Sequence, residues 1–235
     1  MTRILFVLTS HTVLGDTGVP TGYHLGEVVQ PWRILTSAGH EVEFVSVLGG
    51  RPEMVAVDPG DPEHQAFLAD AQVSARLQQT FAPDEVDAGS YAAVYFVGGH
   101  GTMWDFRGNL GLQTITRTVY ETGGVVAAIC HGQAGLLDVR LSDGVHLVSN
   151  KRVTAFSNES EHARGLTTVV PFALQTALEE QGARYSCAPD RVAHVVTDGR
   201  LLTGQNPASA PELGHRLAAA LSTAPQRPRN RALRT

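Results

Sequence analysis

A cysteine and a histidine directly follow an apolar segment of strand length in the middle of the chain. The run Val125–Ile129 contains only small and β-branched residues, and Cys130, His131 and Gly132 come next. A reactive side chain held at a sharp turn from strand to helix forms a nucleophile elbow. We therefore predict that Cys130 is a nucleophile, that His131 assists it through its ring or its backbone N–H, and that the positive end of the following helix favours the thiolate. A buried structural cysteine is the alternative interpretation.

A second motif of this kind ends the apolar segment Ala92–Val97. The sequence Gly-Gly-His-Gly follows that segment, and a tryptophan comes three residues later. Glycines at the end of a strand let backbone N–H groups approach a bound group closely. Gly98 and Gly99 are therefore predicted to form an oxyanion hole, with His100 and Trp104 beside the substrate. An ordinary glycine-rich turn between a strand and a helix is the alternative.

The elements that must position these residues alternate along the chain between apolar and amphipathic segments. We predict strands at Ile4–Leu8, Glu41–Val47, Ala92–Val97, Val125–Ile129, Val145–Val148, Val153–Phe156, Val192–Val196 and Leu201–Leu202, and helices at Tyr23–Ala38, Glu63–Gln79, Leu110–Glu121, His131–Asp138, Pro171–Gln181 and Ala210–Leu221. Such alternation predicts an α/β fold with a mostly parallel, doubly wound sheet and helices on both faces. Active sites in such sheets lie at the carboxyl ends of the strands. We expect one domain over residues 1–222 and a disordered basic tail over residues 223–235.

The composition excludes several classes of function. The net charge of the 235 residues is −5, which argues against a nucleic-acid partner. No apolar run is long enough to span a membrane, and two cysteines make no disulfide framework, so we expect a cytoplasmic protein without a membrane partner. The ten histidines show no metal-binding spacing, and the glycines at 98–101 match no phosphate or dinucleotide motif. We therefore expect neither a metal nor a cofactor.

Five segments resemble one known family and occur in its order along the chain. They are Thr21–Glu27, Gly98–Gly101 with the following Trp104 and Asp105, Ala128–Gly132, Thr154–Glu161 and Thr197–Ser209. The sequence resembles the ThiJ/PfpI superfamily, and within it the branch of glyoxalase III and heat-shock chaperones. The resemblance covers roughly residues 3–222. It implies a flavodoxin-like fold related to that of the class I glutamine amidotransferases.

The resemblance also implies roles for individual side chains. Cys130 would be the nucleophile, His131 its partner and Glu27 the acid beside the sulfur. Glu161 would be the third, acidic member, with Glu159 as the competing candidate. Members of this branch act on methylglyoxal without an added cofactor and give lactate. Some are holdase chaperones and many are dimers, which implies a small-molecule substrate and a homodimer.

The two glutamates have interpretations that rest on the residues alone. Glu27 lies at helical spacing among apolar residues, which predicts a buried carboxyl with a raised pKa that is kept protonated. A solvated glutamate on a helix surface is the alternative. Asn158 precedes Glu161 by three residues, as in the capping box of a short helix. A purely structural role of Glu161 therefore stays open.

Three functions remain open at this stage. The first is a glyoxalase III-type lyase, in which Cys130 adds to methylglyoxal and Glu27 moves a proton between the two carbons. The second is another cysteine-dependent enzyme, such as an amidase or a hydratase, acting on a carbonyl or amide-like substrate. It stays open because His24 brings a polar group to the predicted pocket and because a fold does not fix a function. The third is a holdase chaperone or a redox sensor that uses an oxidisable Cys130.

Overall fold

The computed structural model describes residues 2–223. The strands lie at Arg3–Leu8 (β1), Tyr23–His24 (β2), Glu41–Ser46 (β3), Met54–Val55 (β4), Ala93–Phe96 (β5), Val125–Ile129 (β6), Arg152–Val153 (β7), Arg184–Tyr185 (β8), Val195–Asp198 (β9) and Leu201–Gly204 (β10). The α-helices lie at Leu25–Ser37 (α1), Pro62–Ala69 (α2), Ala71–Gln78 (α3), Thr102–Asp105 (α4), Leu110–Glu121 (α5), Asn158–Ala163 (α6), Leu174–Glu180 (α7) and Ala210–Thr223 (α8). Short 3-10 helices lie at Gly15–Thr17, Pro83–Glu85, Ala88–Ser90, Gly132–Leu136 and Pro207–Ser209.

A six-stranded sheet in the order β3-β1-β5-β6-β10-β9 forms the centre of the molecule. The first five strands are parallel, and β9 pairs with β10 in the antiparallel sense. The register places Phe96 of β5 beside Ala128 of β6, and Ile129 of β6 beside Gly204 of β10. The turns that follow β5 and β6 therefore leave the sheet at the same edge. The predicted α/β fold with a mostly parallel sheet is confirmed.

The side chains of the central strands alternate between two hydrophobic clusters, one on each face of the sheet. In β1, Phe6 packs into the cluster that contains α1 and α8, and Val7 packs into the cluster that contains α5. Helices α1 and α8 on the first face approach each other closely at Gly214. A Cβ added there would lie only 3.0 Å from the Cα of Pro31. Helices thus cover both faces, as the sequence pattern predicts, and fix the positions of the strand ends.

The helix predicted over Glu63–Gln79 is in fact two helices, α2 and α3. Asp70 separates them with extended backbone, and its side chain accepts hydrogen bonds from the backbone N–H groups of Gln72 and Val73. An aspartate that caps the next helix in this way competes with continuation of the previous one. The prediction of one long helix is therefore wrong at this residue.

Further boundaries differ from the prediction. The predicted strand Val192–Val196 lies at Val195–Asp198, and the helix predicted from Tyr23 starts at Leu25. The predicted strand Val145–Val148 is absent, and the segment makes an isolated bridge between Arg140 and His146 instead. The predicted strand Val153–Phe156 shrinks to β7, because the backbone N–H of Phe156 donates to Cys130 at the elbow. The helix predicted from Pro171 starts at Leu174. Short apolar runs do not by themselves separate strand, turn and helix.

The structure describes only part of the two predicted chain regions. One domain over residues 1–222 stays a prediction. The predicted tail over residues 223–235 lies outside the described residues, except for Thr223, which ends α8. Among the residues that the structure describes, none of the helices is long and apolar enough to cross a membrane.

Candidate active site

Cys130 lies directly after β6 in a backbone conformation that side chains rarely adopt. Its φ angle is 60°, in the left-handed region that is unfavourable for residues other than glycine. Two hydrogen bonds hold this conformation: the N–H of Cys130 donates to the carbonyl of Gly204 at 2.8 Å, and its carbonyl accepts from Phe156 at 3.0 Å. The geometry is that of a nucleophile elbow, with the strain compensated by the neighbouring chain segments.

The turn after Cys130 packs against the end of β5 with little space to spare. A Cβ at Gly132 would lie 2.4 Å from the carbonyl oxygen of Phe96, so only glycine fits there. The buried Gln133 amide donates to the carbonyls of Gly204 at 2.8 Å and Thr154 at 2.9 Å, and ties the elbow to both neighbouring segments. Sequence reasoning missed Gln133. Its signal was a polar side chain within the apolar and small residues that follow the elbow.

Cys130, His131 and Glu161 form a continuous line of polar contacts. The Sγ of Cys130 lies 3.3 Å from Nδ1 of His131, and Nε2 of His131 lies 2.7 Å from Oε2 of Glu161. A single tautomer satisfies both contacts: Nε2–H donates to the carboxylate, and the unprotonated Nδ1 accepts from the thiol. His131 is thereby oriented to take the proton of Cys130, as a nucleophile with its general base requires.

The charges along this line follow from burial and hydrogen bonding. Burial lowers the pKa of His131 to about 4, and the nearby His100 adds to the effect, so the ring is neutral at pH 7. Burial raises the pKa of Glu161, but the hydrogen bonds from His100 and His131 outweigh it and lower that pKa to about 2. Glu161 is therefore an anion that accepts hydrogen bonds from the neutral ring of His131 and from His100.

The structure decides between the alternatives for the acidic residue of this line. Glu161 is buried and contacts both histidines, whereas Glu159 is exposed. The capping-box interpretation is wrong: Ser157, not Asn158, caps α6, and its hydroxyl accepts from the N–H of Ser160. The carboxylate of Glu161 accepts hydrogen bonds from the two histidines and does not cap the helix.

Glu27 approaches the sulfur from the first turn of α1 and is fully buried. Its Oε2 accepts from the backbone N–H of Gly98 at 2.9 Å, and the carbonyl of Glu27 accepts from the hydroxyl of Tyr95 at 2.9 Å. Oε1 has no conventional hydrogen-bond partner among the described residues. Burial raises the pKa of this carboxyl to about 8, although interactions with the Cys130 thiol and the Gly98 N–H oppose the shift. With this pKa the carboxyl of Glu27 is mostly protonated at pH 7, in agreement with the prediction of a protonated acid.

The thiol of Cys130 and the carboxyl of Glu27 influence each other's ionisation. Burial raises the pKa of Cys130, ionised Glu27 raises it further, and the N–H of His131 directed at the sulfur opposes both. A proton on Glu27 removes the repulsion between the two groups. The sequence predicted a thiolate favoured by the following helix. Only the short 3-10 helix Gly132–Leu136 follows, and burial outweighs the effect of the His131 N–H on the pKa of Cys130.

The two glycines predicted as an oxyanion hole have different surroundings. The N–H of Gly98 is engaged by Glu27, and a Cβ at this position would lie 2.4 Å from Glu27 Oε2 and 2.7 Å from Cys130 Cβ. Gly98 thus makes room for the acid and the nucleophile, and its predicted oxyanion role is wrong. Gly99, with φ at 113°, has no hydrogen-bonded N–H among the described residues, so its role in binding an oxyanion stays a prediction.

The three remaining predicted residues lie around this centre. Nε2 of His100 lies 3.0 Å from Oε1 of Glu161. His24 donates its backbone N–H to the carbonyl of Gly98 at 3.0 Å, and burial, together with His64, lowers the pKa of its ring to about 4. Trp104 stacks on His11, with ring centroids 4.9 Å apart, and its contact with a substrate stays a prediction.

The described residues contain one cluster that could bind a metal ion, made of His100, His131 and Glu161. Its possible ligand atoms lie within 4.8 Å of one another. The separations of 2.7 Å and 3.0 Å between the imidazole nitrogens and the carboxylate are those of direct hydrogen bonds. A metal there would displace the carboxylate from the base that it orients. That the site works without a metal stays a prediction.

The comparison with known proteins identifies the family. A model of the DJ-1/PfpI family matches residues 19–220. The chain belongs to the DJ-1/PfpI family. It is 34% identical over 222 residues to glutathione-independent glyoxalase HSP31 of Saccharomyces cerevisiae, a match that covers 88% of this chain and 93% of that protein.

Solved structures agree with this assignment. The Rapid Encystment Protein 24 KDa of Francisella tularensis superposes with a TM-score of 0.91 at 36% identity, covering 94% of this chain and 99% of that one. Glyoxalase III of Candida albicans superposes with a TM-score of 0.86 at 28% identity, covering 93% and 97%. The predicted family, the predicted glyoxalase III branch and the predicted flavodoxin-like fold are confirmed.

Proposed function

We propose that this member of the DJ-1/PfpI family is a glutathione-independent glyoxalase that converts methylglyoxal to lactate. The observation that carries the proposal is a buried carboxyl, Glu27, whose pKa burial raises to about 8 beside a thiol that already has its own base in His131. Hydrolysis by a cysteine nucleophile needs only the thiol and the base. Moving a proton between two carbons needs a further acid–base group, and Glu27 supplies it. The names of the relatives from yeast and Candida support the same activity.

The first step is addition of the thiol to the aldehyde carbon. His131 takes the proton from Cys130 through Nδ1, and its own Nε2–H remains bonded to Glu161. The sulfur forms a bond to the aldehyde carbon while the carbonyl electron pair moves to oxygen. That oxygen takes a proton from Glu27 or from His131 and gives a hemithioacetal. The N–H of Gly99 is the predicted donor to the developing oxyanion.

The second step moves one proton between adjacent carbons. The carboxylate form of Glu27 removes the proton from the carbon that carries sulfur, and the electron pair of that bond moves to the neighbouring carbonyl group, which gives an enediolate. The proton on Glu27 returns to the neighbouring carbon, and the hydroxyl proton on the sulfur-bearing carbon passes to the neighbouring oxygen. The thioester of lactate results, and no electron leaves the substrate. A group with a pKa near the working pH both gives and takes a proton at low cost. The value of about 8 places Glu27 in this range.

The last step is hydrolysis of the thioester. Water, activated by His131, attacks the carbonyl carbon, and the Cys130 sulfur leaves and takes up a proton. Lactate and free enzyme result, so the overall reaction adds one water to methylglyoxal. The cycle uses this chain's own residues and needs no glutathione. The predicted cytoplasmic location and homodimer stay predictions, and sedimentation analysis tests the second.

Methylglyoxal consumption without glutathione, with lactate as the measured product, tests this function. Wild type is expected to form lactate, and Cys130→Ala to lose at least ~10³-fold of the rate because the nucleophile is gone. Cys187→Ala is the matched control, since Cys187 is the exposed free cysteine. Equal activity of wild type and Cys130→Ala, or no lactate from wild type, contradicts the proposal. In the second case a panel of amide and nitrile substrates tests the hydrolase and hydratase alternatives.

A further inference from the structure

Four side chains contact one another in series beside Cys130 and form a bent stack of tilted rings. The ring centroid of His131 lies 4.1 Å from that of His100 and 4.3 Å from that of Phe156, and the centroids of His100 and Phe156 lie 6.1 Å apart. The guanidinium carbon of Arg164 lies 4.6 Å from the centroid of Phe156, on the same ring. The stack therefore runs from the partly exposed Arg164 to the buried catalytic imidazole.

The ring of His131 must hold one orientation, because both of its nitrogens have a task. Nδ1 faces the sulfur at 3.3 Å and Nε2 faces the carboxylate of Glu161 at 2.7 Å. Rotation about the bond to the ring would weaken both contacts together. Two ring neighbours, His100 and Phe156, contact the imidazole and restrain that rotation, and the cation of Arg164 over the phenyl ring strengthens the outer end of the stack.

Arg164 is itself fixed by two hydrogen bonds. Its Nη1 donates to the carbonyl of Ser160 at 2.9 Å and to Oδ1 of Asp190 at 3.2 Å. The hydroxyl of Ser160 donates to the same Asp190 oxygen at 2.6 Å. Arg164 is the C-cap residue directly after α6, the helix that carries Glu161. One short helix and its C-cap residue therefore supply both the carboxylate that bonds His131 and the cation that closes the stack.

Phe156 connects Arg164 to the elbow, because its ring lies between Arg164 and His131 and its backbone contacts Cys130. The backbone N–H of Phe156 donates to the carbonyl of Cys130 at 3.0 Å, so the phenyl ring is tied to the strained turn. We propose that Arg164 is a positioning residue of the active site, which acts through Phe156 to hold the His131 ring against Cys130 and Glu161. The inference rests on the proposed function only in that both use the same Cys130 and His131.

The chain contains a matched control for Arg164 in a second arginine that lies over a phenylalanine. The guanidinium carbon of Arg107 lies 5.0 Å from the ring centroid of Phe172, and its Nε lies 3.0 Å from Asp138. The side chain of Arg107 is 37% exposed and that of Arg164 is 33% exposed. The two arginines therefore share their type of contact and their exposure. They differ in that the stack of Arg107 includes no residue of the site.

Alkylation of Cys130 by iodoacetamide measures the effect of Arg164 without any substrate. The exposed Cys187 is first replaced by serine so that Cys130 is the thiol that reacts. We expect Arg164→Met to slow alkylation about 3- to 10-fold, and Arg164→Lys to recover most of the loss because the cation returns. Arg107→Met is expected to match the parent protein. Asp190→Asn, which keeps an acceptor for Arg164 but removes the negative charge, is expected to give a smaller loss.

Steady-state kinetics with methylglyoxal give a second measurement. We expect Arg164→Met to lower kcat by a similar factor and to leave KM within about twofold, because the base and not the substrate site changes. An alkylation rate of Arg164→Met equal to that of the parent overturns the inference, and so does an equal loss in Arg107→Met. A protein that shows the alkylation differences but forms no lactate contradicts the proposed function and leaves the role of Arg164 intact.

Discussion

Glu27 and Glu161 are two buried glutamates that flank the same Cys130–His131 pair from opposite sides. Glu27 comes from the first turn of α1 and Glu161 from α6. Burial acts on both, yet the pKa of Glu27 is raised to about 8 and that of Glu161 is lowered to about 2. One is therefore a neutral acid at pH 7 and the other an anion.

The difference lies in what each carboxyl accepts. Glu161 receives imidazole N–H groups from His100 at 3.0 Å and from His131 at 2.7 Å, which satisfy both of its oxygens. Glu27 receives one backbone N–H, from Gly98, and its second oxygen is buried without a conventional partner. Desolvation disfavours the charged form unless hydrogen bonds replace the lost water. The number of hydrogen-bond donors therefore distinguishes the two residues. Glu27, with one donor, is an acid that transfers protons, and Glu161, with two, is an anion that orients His131.

Glu27→Gln gives the largest expected loss of activity. The amide oxygen keeps the contact with the Gly98 N–H, and the amide cannot give or take a proton. We expect kcat for lactate formation to fall about 10³-fold, and iodoacetamide alkylation of Cys130 to stay within about threefold of wild type. Both are measured on the purified variant. A kcat above one tenth of the wild-type value would remove Glu27 from the proton-transfer step.

Glu161→Gln is expected to act on the base instead. The neutral amide no longer stabilises the imidazolium that forms when His131 takes the thiol proton, so both kcat and the alkylation rate should fall about 10²-fold. Glu159→Gln, an exposed neighbour on the same helix, serves as the matched control and should resemble wild type. Normal alkylation in Glu161→Gln contradicts the assigned role of this carboxylate.

The pH dependence of stability should differ in sign between the two glutamates. A carboxyl with a folded pKa of about 8 binds its proton more tightly in the folded state, so its contribution to the free energy of unfolding falls as pH rises from about 4.5 to about 8. Glu27→Gln has no such pH-dependent loss of stability. The difference in Tm between the variant and wild type should therefore increase in favour of the variant as pH rises across that range, by about 2–4 °C for each kcal/mol that wild type loses.

Glu161 contributes in the opposite direction. Its pKa of about 2 means that its stabilisation is present above about pH 4.5 and is lost as pH falls through about 2. Glu161→Gln should therefore melt below wild type at pH 7, and the difference should shrink in acid. Calorimetric melting curves of both variants from about pH 2 to pH 9 check the two signs. Parallel curves for Glu27→Gln and wild type would contradict the assigned protonation of Glu27.

The sequence predicted the parts of this site that depend on local chain direction. The elbow at Cys130 and the glycine turn after β5 follow from apolar segments that end in glycine-rich motifs, and the parallel sheet brings these ends together. The buried and protonated state of Glu27 followed from its apolar neighbours at helical spacing. These features arise from residues close together in the chain.

Other parts depend on contacts between distant segments and could not be predicted in this way. The N–H of Gly98 is committed to Glu27, a contact across 71 positions. The pairing of Glu161 with His100 and His131, and the stack that ends in Arg164, require the packing of α6 against the elbow. The split at Asp70 has a different, local cause, since one capping side chain outweighed the helical pattern on both sides.

Infrared spectroscopy tests most directly the central claim that Glu27 holds a proton beside Cys130 at neutral pH. A protonated carboxylic acid has a C=O stretching band that a carboxylate lacks. At pH 7 the structure predicts this band in wild type and in Glu161→Gln, its absence in Glu27→Gln, and its loss in wild type as pH rises through about 8. A wild-type spectrum without the band, or a band that persists in Glu27→Gln, would contradict the account.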